Sequence, residues 1–124
     1  MNEFTKLPEA ELEIMMIIWE KGKDVTSEYI MEKLNGKKAW GRTTVLNFLT
    51  RLVDRGFLAI SKEGRFNLYS PVVAQQEYLE HESKTFLEKM YQNSVKKLVA
   101  TLYNSKNISK DDLEELKRFI EEAE

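Results

Sequence analysis

"WGRTTVLNFLTRLVDRGFL" (residues 40–58) decides how the rest of the chain is read. On a helix, Val45, Phe48, Leu49 and Leu52 fall on one side, at i, i+3, i+4 and i+7. The other side shows Thr43, Asn47, Thr50 and Arg51, and Gly56 supplies a stop. A face of hydroxyls, an amide and a guanidinium suits either water or a polar, anionic partner.

Upstream, "VTSEYIMEKLNG" reads as a short helix. Thr26 caps it, Val25 and Ile30 stand at the two positions of a hydrophobic staple, and Asn35-Gly36 ends it. A longer helix precedes it, beginning near Pro8 and ending at Gly22, with Leu12, Met15, Met16 and Trp19 as its expected buried stripe. Downstream the period changes. "FLAIS" and "RFNLYS" are β-favouring segments around "KEG", read as a three-residue loop, and Pro71 ends the second strand.

From Gln75 the chain is helical again. Leu79, Phe86 and Met90 share a stripe, and Ser94 caps a segment carrying Val95, Leu98 and Leu102. Ser109 caps a last helix with Asp111 and Asp112 in its first turn and Leu113, Leu116 and Ile120 as its stripe. Short amphipathic helices of this kind make a poor domain alone, because each exposes an apolar face. A second copy of the chain would cover them. The expected architecture is mainly α with a small β-hairpin: a winged helix-turn-helix over 1–74, then a helical dimerisation region over 75–124.

The 124 residues are 42% hydrophobic, enough for one domain or for one small domain with an appendage. No stretch has the length of a membrane span, and "MNEFTKLPEA" lacks the plan of a signal peptide, so a cytoplasmic protein without membrane insertion is expected. With no cysteine, disulfides and thiolate metal sites are excluded. His81 is the only histidine, in the polar stretch "EYLEHESK", and reads as a surface residue. No phosphate-loop, dinucleotide or HExxH pattern occurs. The chain is read as a non-enzyme that needs no metal or cofactor.

Charge is divided unevenly. Residues 33–65 hold eight basic side chains against two acidic ones, whereas 75–124 hold eight against eleven. A basic middle points to a local anionic partner. Three helices followed by a hairpin match a winged helix, whose third helix lies in the major groove while the wing grips the flanking backbone. Asn47 has the donor and acceptor that pair with an adenine edge, and Thr43 and Thr44 suit bases or phosphates. Lys38, Arg42 and Arg51 stand near the same helix, and Lys62 and Arg65 flank the wing tip. Glu63 and Asp54 argue the other way, and the same fold also serves as a protein-interaction module without DNA binding. Trp40 fits either the core or the DNA backbone.

"LPEAELEIMMIIWEKGKDVTSEYIMEKL", the 40–58 block, "EGRFNLYSPVV" and "FLEKMYQNSVKKLVATLY…ISKDDLEELKRFI" together resemble the BlaI/MecI/CopY penicillinase- and copper-responsive repressors. The resemblance covers nearly the whole chain. It implies a homodimeric transcriptional repressor on a double-stranded operator with dyad symmetry, two recognition helices entering successive major grooves about 34 Å apart. It puts the family's contact positions on Thr43, Thr44, Leu46 and Asn47, with Leu46 where some members carry a basic residue. The cysteine-rich site of copper-responsive members has no counterpart here. The β-lactam-responsive members are inactivated by cleavage at an Asn–Phe bond, and the matching place here is Thr101-Leu102. A membrane metalloprotease sensor is the partner that such relief implies.

Overall fold

The computed structural model describes residues 5–123, so the first part of "MNEFTKLPEA", expected above not to be a signal peptide, lies outside the described residues. Its elements are α1 (Glu9–Lys21), α2 (Ser27–Leu34), α3 (Arg42–Asp54), β1 (Leu58–Glu63), β2 (Phe66–Pro71), α4 (Gln75–Tyr91), α5 (Val95–Asn104) and α6 (Lys110–Glu122). This is the mainly helical winged helix-turn-helix plan. The chain forms two compact units, Met1–His81 and Glu82–Glu124, which divide inside α4.

In the first unit, α3 buries Val45, Leu49 and Leu52 completely, and α2 adds Ile30 and Leu34. Val25 is buried beside Ile30, as a staple requires, and the Thr26 hydroxyl accepts the Tyr29 N–H at 3.1 Å. α1 turns a different face inward from the expected one. Ile14, Met15 and Ile18 are fully buried, whereas Met16 is exposed and Leu12 and Trp19 are half-buried. The segment is apolar almost all round, so its period does not choose a face. Specific bonds do: Trp19 Nε1–H donates to the Val73 carbonyl at 2.9 Å, and Glu11, only 2% exposed, lies 3.3 Å from Arg55 Nε.

The hairpin is tighter than expected. Glu63 pairs with Phe66, so the strands run to the ends of a two-residue Gly64-Arg65 loop. Gly64 takes φ 63° at the first loop position, where such turns favour glycine. Val25 adds a one-residue third strand, giving its N–H to Tyr69 at 3.0 Å and accepting one back at 2.8 Å. The wing is thereby fastened to the α1–α2 link.

Tyr78 explains why the first unit continues into α4. It is 2% exposed, its ring meets Phe57 edge-on at 5.6 Å, and its hydroxyl oxygen accepts the buried Leu7 N–H at 2.9 Å. Tyr78→Phe keeps the ring but orphans that N–H. It should lower unfolding free energy by about 1–3 kcal/mol, read as a lower urea midpoint at unchanged slope. Arg55→Ala should cost a similar or larger amount, about 2–4 kcal/mol, because it leaves the Glu11 carboxylate buried without its cation. A Glu11→Gln, Arg55→Ala double variant should recover part of that loss in the same urea titration.

Candidate nucleic-acid interface

The outward face of α3 follows from its inward one. With Val45, Leu49 and Leu52 fixed in the core, Arg42, Thr43, Thr44, Asn47, Thr50 and Arg51 are all exposed. Gly41 is the N-cap and brings no capping side chain, so the first-turn N–H groups have no intrahelical or side-chain acceptor there. Thr50 is less available than its position indicates, because its hydroxyl donates to the Leu46 carbonyl at 3.0 Å. Leu46 is half-buried against the edge of the core.

The nominated cations fall into two groups. Arg42 donates from Nη1 to Glu28 Oε2, and Lys38 Nζ lies 3.1 Å from Glu13 Oε1. The Arg42 guanidinium holds the Glu28 carboxyl below the usual carboxylate range. Both carboxylates come from the preceding helices, outside the basic stretch. With Glu11 on Arg55, α1 and α2 return three negative charges to that stretch. Arg51, Lys62 and Arg65 have no ion-pair partner among the described residues, and all three are exposed.

Trp40 is half-buried and meets Phe48 edge-on at 5.1 Å. Lys38 Nζ is 5.6 Å from the Trp40 centroid, and the Arg51 guanidinium is 5.8 Å from that of Phe48. Two cations are thus seated at the ends of an aromatic pair along one flank of α3. Phe48 was read from its spacing as core only, and nothing in the spacing marks it as a seat for Arg51. On the wing, Phe66 is exposed beside Arg65.

No group of three or more His, Asp or Glu side chains that could hold a metal occurs among the described residues. None of the described helices is long and apolar enough to cross a membrane. His81 is half-buried on α4.

The second unit has a different character. Ser109 and Asp112 form a capping box: the Asp112 N–H donates to Ser109 Oγ at 3.1 Å, and the Ser109 N–H donates to Asp112 Oδ2 at 2.7 Å. That backbone bond holds the Asp112 carboxyl below its ordinary range. Yet α5 and α6 contain no buried residue. Phe86, Met90, Val95 and Ile120 are exposed, as is Leu79 in the first unit, and Leu98, Leu102, Leu113 and Leu116 are half-buried.

A penicillinase repressor family profile matches residues 7–122. The penicillinase repressor of Bacillus licheniformis is 31% identical over 122 residues, covering 98% of this chain and 94% of that one. The methicillin resistance regulatory protein MecI of Staphylococcus aureus (strain N315) is 29% identical over 119 residues, covering 96% of each. The solution structure of monomeric Bacillus licheniformis BlaI in complex with the blaP half-operator matches with a TM-score of 0.54 and 29% identity, over 63% of this chain and 94% of that one. The chain belongs to the penicillinase repressor family, a family of repressors and not of enzymes.

Proposed function

We propose that this protein is a DNA-binding transcriptional repressor that occupies a dyad operator as a homodimer. The observation that carries the reading is the division of α3 into an apolar face that buries Val45, Leu49 and Leu52 and an exposed face of hydroxyls, amide and guanidinium. The half-operator complex of the related BlaI supports the same use of the same fold. In this reading Thr43, Thr44 and Asn47 meet base edges, and Leu46 offers its methyls to thymine. Lys38, Arg42 and Arg51 meet phosphates beside the groove, while Lys62 and Arg65 hold the flanking backbone from the wing.

Dimerisation is assigned to Leu79, Phe86, Met90, Val95, Leu98, Leu102, Leu113, Leu116 and Ile120. Exposed apolar side chains on three amphipathic helices, with none buried in α5 or α6, support it. Relief of repression is assigned to proteolysis at Thr101-Leu102, near the end of α5, by a membrane metalloprotease sensor. Both carbonyls there accept hydrogen bonds, from the Ser105 N–H at 3.0 Å and the Asn107 N–H at 2.8 Å. A protease that reads extended chain must first unwind this turn.

Fluorescence anisotropy with DNA from upstream of the gene, across a salt series and against a scrambled duplex, tests the reading. Specific nanomolar binding with two subunits per duplex is expected. Binding that ignores both sequence and salt would hand the fold to protein recognition. Asn47→Ala should lose about 1–3 kcal/mol at one base pair only. Arg65→Ala should weaken binding to every duplex and flatten the salt slope by about one. Met90→Glu with Ile120→Glu changes side chains more than half exposed. It should shift sedimentation from dimer to monomer without lowering the melting temperature of the first unit.

A further inference from the structure

Arg42 is read above as a phosphate contact, and its guanidinium is already held in the free protein. Arg42 is the first residue of α3, and Glu28 is the second residue of α2. One oxygen of Glu28, Oε2, accepts from Arg42 Nη1. The other, Oε1, accepts from the Ser27 hydroxyl at 3.2 Å, and Ser27 is buried. A buried hydroxyl thus fixes a carboxylate, and the carboxylate fixes a guanidinium on another helix. The contact uses one nitrogen of a planar fork with five N–H donors, which leaves Nε and Nη2 open. Gly41 offers no side chain that could hold Arg42 instead.

We infer that Glu28 is a positioning residue for DNA, holding Arg42 so that its remaining donors meet a backbone phosphate at the start of α3. The inference rests on the reading of α3 as the DNA-facing helix. Two effects of the carboxylate oppose each other. Its charge repels a phosphate, but Glu28 is half exposed, and the high dielectric of the surrounding water weakens that repulsion. Against this, an unrestrained arginine must give up most of its rotamer freedom on binding, and a guanidinium fixed in advance gives up little. Preorganisation wins at this exposure, and Glu28 strengthens binding despite its sign.

The test uses the full chain and a fluorescein-labelled duplex that the wild-type protein selects from a random-sequence library. A chain that selects no duplex overturns the DNA reading, and this inference with it. Once a duplex is in hand, the outcomes concern Glu28 alone. Glu28→Ala should weaken binding about three- to tenfold, whereas Glu28→Gln, which keeps an oxygen acceptor for Nη1, should stay within about twofold. In an Arg42→Ala background, Glu28→Ala should cause no further loss, because the residue it positions is gone. Tighter binding by both Glu28 variants would make the carboxylate an electrostatic brake and sink the inference. An equal loss with and without Arg42 would make Glu28 merely structural, with the same result. Matching thermal melts for all variants separate either outcome from misfolding.

Discussion

A carboxylate buried to 2% exposure cannot be left without a cation, and that constraint organises the first unit. Glu11 on α1 has only Arg55 in ion-pair range among the described residues, and Arg55 is the C-cap of α3. At the other end of α3, Arg42 is held by Glu28 of α2. The helix is therefore tied at each end to a different neighbour. Val45, Leu49 and Leu52 fill the space between those ties. With both ends fixed and one side buried, its rotation is settled, and Thr43, Thr44 and Asn47 are left facing outward. The polar face is the remainder of a packing problem solved on its other side.

The same ties explain which parts of the fold were legible in the sequence. α3 was legible because polar and apolar residues alternate cleanly at helical spacing. α1 was not, because "LEIMMIIW" is apolar at nearly every position. Its face was set by Glu11 and by the bond from Trp19 to Val73, neither of which leaves a periodic mark. The wing is legible as a hairpin, yet "KEG" reads as a three-residue loop with its glycine at positive φ, which puts Glu63 in the loop. In the structure it is the last residue of β1, paired with Phe66. The Val25–Tyr69 bridge involves a single residue on one side, and a single residue has no pattern to read.

Within the interface, sequence reasoning identified residue types and misjudged their availability. Counting charge over 33–65 gave a strongly basic segment, and the fold then brought Glu11, Glu13 and Glu28 onto three of its cations. Such pairing joins residues 14 to 44 positions apart, beyond the reach of any local window. The spacing that put Phe48 in the core was sound as far as it went. It could not reveal that Phe48 and Trp40 present ring faces to Arg51 and Lys38.

This partial neutralisation bears on why two subunits would be needed. Salt-dependent affinity grows with the number of phosphates that cations neutralise. With Arg55 held by the buried Glu11 and Lys38 held by Glu13, one copy of the first unit brings less charge to a half-site than its sequence contains. A single copy on a half-site then neutralises fewer phosphates than the proposed pair would on a whole operator. In the proposed dimer, two copies joined through the second unit would convert the second encounter into an intramolecular one, and avidity would rise by orders of magnitude with no new contact. The same logic makes the joint the sensitive point. The proposed cut near the end of α5 alters no residue of α3, yet it would separate the two copies and remove that avidity. In the proposed mechanism, a recognition surface of moderate charge and two helices with no buried side chain would work together, and occupancy would depend on keeping two grips joined.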